Sequence, residues 1–84
     1  MREAAAFYEE RAKGLGLAFL NEVEHAVTSI LEHPNAGTVV GPDVRRRLVR
    51  RFPYGVLYRI ESEGIVVVAI MHLKRKPGYW KRRG

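Results

Sequence analysis

Six arginines crowd one short stretch of the chain, Arg45, Arg46, Arg47, Arg50, Arg51 and Arg59, among the valines, leucines and tyrosines a small protein needs for its core. A guanidinium stays charged and offers paired donors in one plane, which suits phosphate and carboxylate alike. Setting so much positive charge against an apolar sheet is costly unless something outside the fold uses it. Arg45, Arg47, Arg51 and Arg59 are therefore the candidate anion-binding groups, expected together on one concave sheet face opposite the chain's helices. The alternative is a set of surface ion pairs to Glu9, Glu10, Glu22 and Glu24, each worth little.

Other groups could add chemistry. His72 ends an apolar run, where a histidine can take or give a proton near neutral pH, although a merely hydrogen-bonded histidine is the plainer reading. Beyond it, Lys74, Arg75, Lys76, Lys81, Arg82 and Arg83 surround Tyr79 and Trp80. Cations interleaved with aromatics suit single-stranded nucleic acid, rings stacking on bases and charges meeting phosphates. Alternatively, Tyr79 and Trp80 close over the sheet as a lid on the core. With three histidines and no cysteine, no metal site is expected, and no motif calls for a cofactor.

These residues need elements to carry them. Residues 1–13 are alanine-rich, with Ala5, Tyr8, Ala12 and Leu15 spaced for one helical face, and Gly14-Leu15-Gly16 breaks the helix. A second helix is expected over residues 17–32, its stripe made of Leu15, Phe19, Val23, Ala26, Val27 and Ile30, and Pro34 stops it. Residues 35–43 read as a connection, and Gly41-Pro42-Asp43 as a turn into a strand. Residues 44–60 then read as a hairpin with a break at Phe52-Pro53. In its second strand Val56, Tyr58 and Ile60 share one face, and Leu57 and Arg59 the other. After the Ser62-Glu63-Gly64 turn, residues 65–71 are apolar at every position, which predicts a strand in the interior of the sheet with both faces covered. The expected fold is α+β: an N-terminal helical hairpin on a small antiparallel sheet of about three strands.

The length of 84 residues allows one domain, 1–84, with one small core. Absence of cysteine fits a reducing cytoplasm, no apolar run is long enough to span a membrane, and the start lacks the layout of a signal peptide. The net charge of +6 is unevenly spread: residues 1–34 carry three basic and six acidic groups, residues 43–84 twelve basic and three acidic. Such asymmetry points to an anionic partner for the C-terminal half.

Phe7-Tyr8-Glu9-Glu10, Gly14-Leu15-Gly16, Phe19-Leu20-Asn21-Glu22-Val23-Glu24, His33-Pro34, Val44-Arg45-Arg46, Arg51-Phe52-Pro53-Tyr54, Tyr58-Arg59-Ile60, and His72 followed by Pro77-Gly78-Tyr79-Trp80 together resemble the RelE/ParE toxin family. The likeness runs through nearly the whole chain in order and is closest to the ParE-like, plasmid-stabilisation branch. It implies a helical hairpin packed on an antiparallel sheet, and a role as the toxin of a bacterial toxin–antitoxin pair, neutralised by an acidic antitoxin. ParE-like members inhibit DNA gyrase; RelE-like members cut messenger RNA on the ribosome. For the ribonuclease, the resemblance assigns catalysis to Arg59, Arg75 and Tyr79, with His72 where other members also place a histidine. Arg45, Arg47, Arg51, Lys74, Lys76 and Trp80 would bind.

The chain departs from the family in two respects. Members usually begin with a strand before the first helix, whereas this chain starts inside that helix. A sheet one strand short leaves an edge, where a homodimer or a partner chain is expected. Arginines, not lysines, also stand where RelE-like enzymes carry basic residues near the start of the sheet, and arginine is a poor proton acceptor, so Arg45 and Arg47 suit holding phosphate rather than acting as bases. The gyrase-type reading is therefore favoured, with the ribonuclease or an inert binding module on the same fold as alternatives.

Overall fold

The computed structural model describes residues 2–74. Helix-favouring residues form α1 over Arg2–Arg11, and α2 follows at Leu15–Glu32, starting earlier than the expected Leu17. Gly16 therefore lies within the first turn of α2, not in the break. A Cβ there would sit 2.5 Å from the Ala5 carbonyl oxygen, so the bare glycine is what lets the two helices touch. Gly14 offers α2 no side-chain cap. Instead the Glu9 carboxylate reaches over from α1 and accepts the N–H groups of Gly14 and Gly16, each at 3.0 Å, satisfying donors that a helix start leaves unpaired. Gly16→Ala should lower stability by about 1–3 kcal/mol, because the opposing atom is backbone and yields little. A denaturant midpoint shifted down at unchanged slope would register that loss.

A single 3-10 turn at Pro34–Ala36 leads into β1 (Thr38–Gly41), β2 (Val44–Leu48), β3 (Tyr54–Glu61) and β4 (Gly64–His72). All neighbours are antiparallel, in the order β1-β2-β3-β4. The sheet thus has four strands rather than about three. β1 hides in the expected connection because glycine and proline flank Val39-Val40, and it is recruited by pairing Val39 with Arg45 and Thr38 with Arg46. The hydrophobic run in β4 overturns a second expectation. It lies at the edge of the described sheet, not inside it, and Val66 and Val67 are 37% and 45% exposed on opposite faces. The extra strand was added beside β2, which leaves β4 at the margin of the sheet among the described residues.

The predicted stripe of α2 supplies Phe19, Val23, Ala26 and Ile30 to the core, which closes on Val49, Phe52, Val56 and Tyr58. Tyr8 and Tyr54 join it through ring contacts with Phe19 at 5.3 and 5.0 Å. Burial, with Tyr54 beside it, pushes the Tyr8 phenol above its ordinary pKa. Tyr58 is fully buried and donates its hydroxyl to the Pro34 carbonyl at 2.6 Å. That bond ties the sheet to the end of α2. Gly37 makes room for it, since a Cβ there would land on the Tyr58 hydroxyl. On the far face of the sheet, away from the helices, Val44, Leu57 and Met71 form a smaller cluster with Val68 and Ala69 against it. No helix among the described residues is long and apolar enough to cross a membrane.

Candidate functional site

Cross-strand neighbours share a face, so the β2–β3 register decides where the arginines of β2 stand. Arg45 pairs with Tyr58 and Arg47 with Val56, both core residues on the helix side. Arg46 pairs with Leu57, on the far face. The expectation of one concave cationic face is therefore overturned. Arg45 and Arg47 are on the helix side, whereas Arg59, the residue after Tyr58, is on the far face.

Both helix-side arginines are tied within their own chain. Arg45 donates to the carbonyls of Asn35 and Gly37 at 3.1 and 3.0 Å, holding the connection between α2 and β1. Arg47 donates to the Ser29 hydroxyl on α2. Their stems are half-buried and their heads reach out to polar groups, as long cationic side chains do at the margin of a core. Their partners are backbone carbonyls and a serine hydroxyl, not the glutamates of the alternative reading.

The other predicted residues are spread out. Arg51 is exposed in the β2–β3 turn with φ of 71°, its guanidinium 5.7 Å from the Phe52 ring centroid. Arg59 pairs with Glu61 at 3.1 Å, two positions along the same strand, an exposed contact of small energetic value. His72 is half-buried at the end of β4, its ring 5.1 Å from that of Tyr54 and edge-on to it. The His72 Nδ1 accepts the Lys74 N–H at 3.1 Å, which assigns the proton of the neutral ring to Nε2. Lys74 is exposed just past β4. Arg75, Lys76, Tyr79 and Trp80 lie outside the described residues.

Two features escaped the sequence reading. The first is Arg46, whose stem lies over Gly55 on the far face and whose Nε is buried without a hydrogen-bond partner among the described residues. Around it the far face carries Leu48 and Leu73, 54% and 39% exposed, next to the Val44, Leu57 and Met71 cluster. Period-two spacing sets Arg46 with Val44 and Leu48, but nothing local to the strand says which of its faces meets the helices. The second is a cleft of about 110 Å³ between α2 and the end of β2, lined by Glu22, His25, Ser29, Arg47 and Arg50. There the Glu22 Oε1 is buried, without a hydrogen bond among the described residues, and 3.8 Å from the His25 Nδ1. The i, i+3, i+7 spacing of Glu22, His25 and Ser29 signalled one face of α2, but only the fold puts Arg47 and Arg50 across from it.

Apolar side chains on the far face are bordered by Arg46 and Arg59, a combination that suits binding to another macromolecule. No curated protein and no solved structure matches the chain. The family model described as the ParE toxin of type II toxin–antitoxin systems, parDE, matches residues 1–77. Nearly the whole chain is covered, in agreement with the resemblance carried by its motifs and with the helical hairpin and antiparallel sheet. The chain belongs to the ParE toxin family of type II toxin–antitoxin systems, and an antitoxin is its implied partner.

Proposed function

We propose that this toxin stops growth by binding DNA gyrase in the cytoplasm, with no chemistry of its own, and that an acidic antitoxin neutralises it by covering the same surface. The observation that carries this reading is the composition of the far face, where Leu48, Val66 and Leu73 are exposed beside Arg46 and Arg59. Arginine beside apolar anchors is the mix found at the energetic centre of protein–protein interfaces. A phosphate-binding groove would instead gather its cations, and here they divide between two faces. The position of β4 at the edge of the sheet among the described residues adds a second copy of the chain to the partners we propose.

The alternative is a ribosome-dependent ribonuclease using Arg59, Arg75, Tyr79 and His72. Cleavage needs a base for the attacking hydroxyl, cations on the phosphate and an acid for the leaving oxygen, all converging. Arg59 engaged with Glu61, and His72 on the helix side of the sheet with Tyr54, weigh against that convergence. Expression in bacteria followed by two readouts tests the choice. The expected result is growth arrest with loss of supercoiling by purified gyrase and intact messages on primer extension. Fresh cuts within codons, with gyrase unaffected, would replace the gyrase reading by the ribonuclease one.

A further inference from the structure

The two edges of the sheet formed by the described residues differ. β1 is four residues long, has a register shift between Val39 and Gly41, and runs into Pro42, devices that discourage further pairing. β4 is nine residues long, and between Ile65 and Met71 it has neither charge nor proline. An edge of that length and composition is a template for another strand.

We propose that the occupant of this edge is β4 of a second copy, paired antiparallel about a two-fold axis to make one continuous eight-stranded sheet. The register follows from which face each side chain takes. Val67 pairs with Tyr58 and Ala69 with Leu57, so Val68 is an extra residue, a bulge that shifts the alternation. Ile65, Val67, Ile70 and His72 consequently lie on the helix side, opposite Ile60, Tyr58, Val56 and Tyr54, while Val66, Ala69 and Met71 lie on the far side. In a symmetric pair, like faces must meet. Pairing Ile65 with His72, Val66 with Met71 and Val67 with Ile70 meets that condition over the whole strand, with the two bulges together at the axis. A slip of one residue would set Val66 against Ile70 and cross the faces.

The same register has a consequence in charge that it was not chosen to produce. It brings Glu63, in the β3–β4 turn, opposite Lys74, just past the end of β4, once at each end of the pair. Opposite charges facing across strands are favourable, and like charges unfavourable. The net charge of +6 on each copy opposes association, but repulsion between distant exposed charges is screened beyond about 8–10 Å. The edge is thus complementary to itself in apolar faces and in flanking charge, and the inference does not depend on gyrase being the target.

Sedimentation velocity over a concentration series tests it with the whole chain. The expected result is a reversible monomer–dimer equilibrium. Glu63→Lys or Lys74→Glu alone should weaken it by about tenfold, since each turns two attractive pairs repulsive. The double variant, Glu63→Lys with Lys74→Glu, exchanges the charges and should recover wild-type association. Both positions are exposed, and circular dichroism checks that each variant is folded. A wild-type chain that stays monomeric throughout, or binds only a different, antitoxin-derived strand at β4, overturns the proposal. So does a dimer indifferent to the single changes, or a double variant that fails to recover.

Discussion

Phe19→Ala is expected to lower the melting temperature by at least about 12 °C. Phe19 is completely buried, and its ring lies 5.3, 5.2 and 5.0 Å from those of Tyr8, Phe52 and Tyr54, so it joins both helices to the sheet. Truncating a buried phenylalanine costs about 3–5 kcal/mol, from lost burial and from the cavity left behind. A chain of this size has about 4–13 kcal/mol to lose, and each kcal/mol moves the midpoint by about 4–8 °C. Leu17, in the same helix but 64% exposed, supplies the comparison. Leu17→Ala should stay within about 0.5 kcal/mol of wild type. Thermal denaturation followed by circular dichroism distinguishes the two, and equal midpoints would mean that α2 does not pack on the sheet through Phe19.

Replacing Arg46 and Arg59 together by Gln is expected to abolish growth inhibition while leaving the domain folded. Among the described residues Arg59 has only an exposed pairing with Glu61, and the Arg46 Nε on the far face has no hydrogen-bond partner, so neither guanidinium makes a contact on which the fold depends. If they border the surface that engages the target, each should weaken inhibition of gyrase supercoiling by about 10–30-fold, the scale of an interface hot spot. Arg45→Gln should do the reverse. It removes the ties to the Asn35 and Gly37 carbonyls, which costs about 1–3 kcal/mol of stability, and should leave the affinity of the remaining folded protein unchanged. Supercoiling titrations beside denaturant midpoints separate affinity from stability. Loss of inhibition in a folded Arg45→Gln protein, with Arg46→Gln and Arg59→Gln fully active, would move the docking surface to the helix side.

The elements were largely written in local patterns. The α2 stripe of Phe19, Val23, Ala26 and Ile30 is the one that packs, because a helix whose apolar residues recur along one face has a single way to bury them. Val56 and Tyr58 face the helices and Leu57 faces away, as alternation along a strand requires. The family, too, was legible, since its motifs extend along nearly the whole chain. The β1 strand was not, because a four-residue strand ending on Gly41 carries no periodic signal until β2 offers it a ladder.

The sequence by itself determined the helical hairpin, the alternating faces of β3, the family, and the surplus of cations in the C-terminal half. Only the tertiary structure decided which face each of the cations in the sheet takes. Val49, two positions beyond Arg47, is anchored in the core, and it turns Arg45 and Arg47 to the helix side and Arg46 to the other. Composition counts charge without direction, whereas strand register gives each side chain a face. Strand order is equally non-local: a wholly apolar β4 reads as interior until the placement of β1 beside β2 leaves it at the edge. Pairing partners come from distant parts of the chain, so neither result could be read from any one stretch.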